Sequence, residues 1–259
     1  MSQEFNSLES FAKGQLDSRA ANHSPEEIRT RRKRDVALGY RLLAAQNWGD
    51  NGDGHISARD PERTDCFWLL RYDISFHRAR VRDLVLVGPD GDLVEGEGPI
   101  NSAAYHIHHP LLEARPDVVS ATHVHTGWGT PFSAERRPIL PITQESCLFF
   151  EDHALFDEEV VTVQGVDGGK RIAGALGRNR AVILCNHGLL TVGASVAEAV
   201  GSFVTLERVV ETQMKVRNAK PLSAEAARYA RDDLVRYGAG SIPFRALVAR
   251  HIGDVSLVG

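Results

Sequence analysis

Short apolar runs alternate along this chain with segments that open on helix-capping residues, and that alternation constrains the fold more than any other feature. Cys66-Phe67-Trp68-Leu69-Leu70, Leu84-Val85-Leu86-Val87 and Ala181-Val182-Ile183-Leu184 read as strands, as do Val118 to His125 and Val160-Val161-Thr162-Val163. Between them lie helix signals. Ser24-Pro25-Glu26-Glu27 offers Ser as N-cap, Pro in the first turn and Glu three residues on. Its helix is expected to run to about Trp48, burying Val36, Leu38, Leu42 and Leu43 and exposing a solvated basic face from Arg29 to Arg34. Residues 102–114 carry Ala104, Ile107 and Leu111 at helical spacing, with a kink or early end expected at Pro110. A helix near 169–176 should stop at Gly177, Ser195 with Glu198 opens a long amphipathic helix, and Ser223 caps another that ends at Gly238. Pro89-Asp90-Gly91-Asp92 is a turn.

Strands and helices interleaved without a linker or repeat imply one α/β domain over 24–259, a sheet with helices on its faces, behind a flexible arm at 1–23. A length of 259 residues with 42% hydrophobic content can bury a full core. With 30 basic against 34 acidic residues, the net charge of −4 argues against nucleic acid as a partner. No apolar run is long enough to span a membrane, and the polar first residues lack the apolar core of a secretory signal. Cys66, Cys147 and Cys185 fit neither a disulfide framework nor a zinc motif, so a cytoplasmic location is expected.

The 11 histidines are the chemical clue. In Thr122-His123-Val124-His125, residues i and i+2 of a strand project from one face, so both imidazoles can share a divalent ion. His187 follows the run Ala181 to Cys185 and therefore also sits at a strand end, where Gly188 should let the backbone turn sharply. Three histidines from two strand ends would leave open positions on a metal, as a catalytic site requires. Residues 49–60 echo an EF-hand loop, but Gly49 stands where its first acidic ligand is essential, so calcium is not expected.

The order RPDVVSATHVHT, ITQESCLFF and ILCNHGLLTVGASVAEA, within roughly residues 28–217, resembles the class II aldolase/adducin amino-terminal domain family. The resemblance implies an αβα fold around a mostly antiparallel sheet, commonly a homotetramer with sites between subunits. It also implies His123, His125 and His187 as ligands of one divalent ion, Zn, Mn or Fe(II). Sugar-phosphate aldolases of the family carry a Glu acid/base where this chain has Ala104, and their Ser-Ser phosphate pair is replaced around Asn101–Ala103. His108, on the same helical face as Ala104, is the candidate to replace that Glu, with Gln144 and Glu145 of the PITQES segment as further catalytic candidates. His55 on its glycine turn, Arg71 as a bidentate carboxylate partner and Asn101 are candidate substrate contacts.

These residues together suggest a metal-dependent lyase that cleaves a C–C bond of a small hydroxy, oxo or aromatic acid. Without the Glu, decarboxylation is favoured over aldol cleavage, because CO2 departs without a base removing a hydroxyl proton. Two alternatives are a non-haem Fe(II), O2-dependent decarboxylase of an aryl pyruvate and a non-catalytic adducin-like assembly module.

Overall fold

The computed structural model describes residues 23–49, 51–158 and 162–259. In chain order the elements that matter here are α1 (Pro25–Ala45), β1 (Gly54–Arg59), β2 (Phe67–Leu70), β3 (Leu84–Val87), β4 (Leu93–Glu95), α2 (Ser102–Ala114), β5 (Ser120–Val124), α3 (Gly129–Ala134), α4 (Gln144–Cys147), β6 (His153–Phe156), α5 (Val166–Leu176), β7 (Ala181–Leu184), β8 (Gly188–Gly193), α6 (Val196–Lys215), α7 (Ala224–Arg236) and α8 (Ser241–His251). The strands form one sheet in the order β4-β3-β2-β1-β5-β8-β7-β6. Among the described residues only β6 and β7 pair in parallel; every other neighbouring pair is antiparallel.

The strand period of two divides the core into two layers. Trp68, Leu70, Leu84, Leu86 and Ile183 pack with α1, α6 and α8 on one face, while Phe67, Leu69, Val85, Val87 and Val182 pack with α2 and α5 on the other. Strands covered on both faces have no polar side, which is why they read as uninterrupted apolar runs. The architecture is therefore αβα, with a mostly antiparallel sheet in the middle layer.

Ser24 and Glu27 form the expected reciprocal capping box on α1. Ser195 caps α6 by accepting from the Glu198 N–H, and Ser223 caps α7 in the same way. Other expectations need correction. Pro110 neither ends nor interrupts α2, which is one helix through Ala114. The carbonyl of His106, deprived of its usual i+4 donor, faces Gly169 of α5, where an added Cβ would lie 1.9 Å from that oxygen. Thr162 and Val163 are not in a strand, and Val160 and Val161 lie outside the described residues. The strand of that region is β6, which the sequence reading passed over. The arm expected at 1–23 lies outside the described residues apart from His23.

Candidate metal centre

β5 and β1 are antiparallel neighbours, and their register sets His55 directly opposite His123 and Ser57 opposite Ala121. All four side chains therefore face α2, while the intervening Ile56 and Ala58 face α1. His125 follows β5, and its N–H donates to the Asp53 carbonyl at 3.0 Å, which ties the strand's end to the loop before β1. His187 lies in the three-residue turn between β7 and β8. The left-handed residue of that turn is Asn186 (φ 61°), not Gly188 as expected. Gly188 supplies room instead: an added Cβ would sit 3.3 Å from the His123 ring.

His123, His125 and His187 each offer a ring nitrogen, and those nitrogens all lie within 4.8 Å of one another. The three rings stand edge to face, with centroids 4.9–5.2 Å apart. The donor set fits a divalent ion on two further grounds. The Nδ1–H of His123 donates to the Leu189 carbonyl at 2.7 Å, which leaves Nε2 with its lone pair for a ligand. Burial holds the His123 pKa well below the ordinary imidazole range and that of His187 at about 4, so both stay in the neutral, ligating form.

The structure revises several of the other candidates. His55 is not on a turn but inside β1, nearly fully buried. His108 is wholly buried and does not reach the cleft itself; its Nε2 lies 2.8 Å from His55 Nδ1 and its Nδ1 lies 2.6 Å from Ser57 Oγ. Those spacings make Ser57, His108 and His55 a continuous hydrogen-bonded chain, with His55 at the cleft. Burial lowers the pKa of both histidines, that of His108 to about 3. Gln144 and Glu145 stay outside. The Thr143–Ser146 capping box turns Ser146 and Cys147 inward and leaves Gln144 and Glu145 exposed at the start of α4. Arg71 does make a bidentate carboxylate pair, but with Asp73 of its own loop. Asn101 caps α2, accepting from the Ala103 N–H at 3.0 Å, and lines the cleft.

Two carboxylates escaped the sequence reading. Asp53 lines the same cleft, with Oδ2 4.0 Å from His125 Nδ1 and Oδ1 buried without a partner. Glu207, buried on α6, accepts from the Thr126 hydroxyl at 2.7 Å and the Trp128 N–H at 2.9 Å, fixing the loop that leaves His125. Its carboxyl is raised above the ordinary range by that burial. His153, by contrast, is structural: its Nε2 accepts from the Ile139 N–H and its Nδ1–H donates to the Phe149 carbonyl.

The family model for the class II aldolase and adducin N-terminal domain matches residues 34–214. The chain belongs to that family. Its similarity to a solved class II aldolase, the L-fuculose 1-phosphate aldolase of Glaciozyma antarctica PI12, has a TM-score of 0.80 at 30% identity, over 89% of this chain and 93% of that one. The decarboxylase NovR of Streptomyces niveus is 40% identical over 197 residues, 74% of this chain and 73% of the relative. The 4-hydroxy-3-prenylphenylpyruvate oxygenase/4-hydroxy-3-prenylbenzoate synthase of Streptomyces roseochromogenus subsp. oscitans is 38% identical over the same length, 74% of this chain and 71% of the relative. Among the described residues no helix is long and apolar enough to cross a membrane.

Proposed function

We propose that this protein is a metal-dependent carbon–carbon lyase that decarboxylates a small hydroxy or 2-oxo acid. The convergence of three histidine nitrogens within 4.8 Å at an open cleft carries the reading. His123, His125 and His187 would hold one Zn, Mn or Fe(II) ion. Held there, a divalent ion would supply Lewis acidity toward a substrate oxygen.

The chain's own residues do the rest. His123 is aimed by its bond to Leu189, and Asn101 stands at the cleft wall to meet a substrate oxygen. Loss of CO2 leaves an electron pair on carbon that must take up a proton. With alanine at position 104, we assign that delivery to His55, which lines the cleft. Its Nδ1 is engaged by His108, so its Nε2 is the nitrogen that can give or take a proton, while Ser57 and His108 behind it fix the ring's orientation. His108 is then a positioning residue rather than one that touches substrate. The similarity to NovR supports decarboxylation over aldol cleavage.

A second reading, oxidative decarboxylation of an aryl pyruvate with Fe(II) and O2, is favoured by the 38% identity to the Streptomyces oxygenase. The test is anaerobic metal analysis followed by CO2 release from hydroxyaryl and 2-oxo acids, with oxygen uptake recorded in parallel. CO2 without oxygen uptake supports the lyase, and stoichiometric uptake supports the oxygenase. A purified protein that binds none of these metals would sink both and leave an adducin-like assembly module. Assembly into a homotetramer in the cytoplasm belongs to the same proposal, as does a small molecule, rather than nucleic acid or membrane, as the partner.

A further inference from the structure

Among the described residues, no Lys or Arg lines the three-histidine cleft, and Asp53 is its one carboxylate. An acid bound there would be oriented by neutral hydrogen-bond donors rather than by a cationic side chain. One such donor is Thr130, which stands on the cleft wall where the chain leaves His125 for α3. Thr130 Oγ1 accepts from the Thr126 N–H at 3.2 Å, and among the described residues its own O–H has no acceptor. A hydroxyl that accepts one bond still has its hydrogen to give.

The turn that carries this hydroxyl is fixed from several sides. Within it, the Thr130 N–H donates to the Thr126 carbonyl at 3.3 Å and the Gly129 N–H to Thr126 Oγ1 at 3.2 Å. From α6, Glu207 takes the Thr126 hydroxyl and the Trp128 N–H, and Lys215 Nζ lies 4.9 Å from the centroid of the Trp128 ring. The packing admits only glycine at position 129, where an added Cβ would lie 2.5 Å from Thr126 Oγ1 and 2.8 Å from Glu207 Oε2. Ser133 then ties the segment to the second ligand-bearing turn. Its Oγ donates to the Thr130 carbonyl at 2.7 Å, and its own carbonyl accepts from the Asn186 N–H at 3.1 Å, one residue before His187. Thr130 is thus held in register with both stretches of chain that carry the candidate ligands, and a donor held in advance loses little freedom when it binds.

We propose that Thr130 is a substrate-binding residue of this site, giving its hydroxyl hydrogen to an oxygen of the substrate's acid head. This rests on the metal-lyase reading and adds a residue to it. A neutral donor also suits that chemistry. A carboxylate that departs as CO2 loses its charge on the way, so a cation clamped to it would hold the bound acid more firmly than the transition state. A hydroxyl orients the head with less of that penalty.

Calorimetric titration of the Zn(II)-loaded protein with lactate and with pyruvate tests the assignment, alongside zinc affinity measured by competition with a chelating dye. Thr130→Val keeps the branched shape and removes the hydroxyl, and should weaken both acids about tenfold, the loss of one hydrogen bond to a charged group. Thr130→Ser restores the hydroxyl and should bind both within about twofold of the unmodified protein. Zinc affinity should be unchanged in both variants; because the same turn leaves His125, it reports whether the turn has kept its shape. Unchanged acid affinity in Thr130→Val overturns the inference. So does a parallel loss of zinc affinity, which would make Thr130 a support of the turn, or a Thr130→Ser variant as weak as Thr130→Val, which would make the methyl group the part that matters. Each of these leaves the metal-lyase reading intact. Failure of the loaded, unmodified protein to bind either acid overturns that reading and this inference with it.

Discussion

Asp53 carries one carboxylate oxygen buried without a partner and the other 4.0 Å from the Nδ1 of His125. A histidine that ligates through one ring nitrogen is oriented by what the other nitrogen donates to. The Leu189 carbonyl does this for His123. Asp53 stands in the corresponding position for His125, and a charged acceptor there also makes the ligating nitrogen more basic. Asp53→Asn keeps the shape and removes the charge, so metal affinity should fall by about 10–100-fold. The melting temperature of the metal-free protein should hold or rise, because an unpaired buried carboxylate oxygen is gone. Competition against a chelating dye measures the affinity, and an unchanged value would exclude the role. Two of the three candidate ligands were legible from spacing, because a His-x-His pair on a strand needs only the period of two; His187 was legible from its place after the apolar run of β7 and from the family resemblance. Asp53 was not, since its approach to His125 depends on the β1–β5 register, which no local pattern encodes. Glu207 had left a trace: it falls between Phe203 and Val210 on the apolar face of α6, where a carboxylate needs a reason.

At the scale of elements, α5 meets α2 through Gly169 and the His106 carbonyl that Pro110 leaves without its helical donor. A methyl group at Gly169 would lie 1.9 Å from that oxygen, whereas one at Gly174 of the same helix would meet nothing within 4 Å. The two alanine substitutions should therefore have opposite signs. Gly169→Ala is expected to cost about 1–3 kcal/mol by forcing the helices apart, and Gly174→Ala to gain up to about 1 kcal/mol from helix propensity. Thermal melts of the two variants check this, and a shared sign would refute the packing account. The early end expected at Pro110 does not occur for the same reason: tertiary packing carries α2 on to Ala114 through a residue that breaks isolated helices. β1 and β6 were hidden for other reasons. β1 spends its α2 face on His55 and Ser57, so it lacks an apolar alternation, and β6 is a half-buried edge strand. A further joint ties α1 to the sheet. The fully buried side chain of Asp60 accepts from Arg29 at 2.7 and 3.1 Å and from the Trp68 indole at 3.0 Å. Burial alone would raise its pKa, but these bonds and two backbone N–H donors outweigh burial and hold the carboxyl well below its usual range. A depressed folded pKa stabilises above the unfolded value, and that stability is lost as pH falls below about 4. Asp60→Asn should thus cost about 3 kcal/mol at pH 7 and flatten the acid limb of the stability curve. Denaturant titrations at pH 7 and pH 3 would expose an error, since an equal cost at both removes the ionic contribution.

Across the whole molecule, the candidate ligands come from two separated stretches of chain, β5 with its end and the β7–β8 turn, which the central strands β5 and β8 bring side by side. An ion shared between them binds the folded chain and not the unfolded one, so its binding free energy adds to folding stability. At a free concentration of 100 times the dissociation constant, that contribution is about 2.7 kcal/mol. For a chain of this length, each kcal/mol moves the midpoint by about 2–4 °C, so loading should raise it by about 5–10 °C. Removing one ligand tests whether the three act together. His187→Ala leaves His123 and His125 in place, yet it takes away the one member of the three-histidine group that comes from the β7–β8 turn and therefore the link between the two stretches. The metal-dependent shift should collapse in this variant, while the midpoint of the metal-free protein stays near its original value because His187 is only half-buried. Differential scanning calorimetry with and without zinc separates the two effects. A shift that survives intact in His187→Ala would mean that the ion binds elsewhere, and the centre drawn here would be wrong.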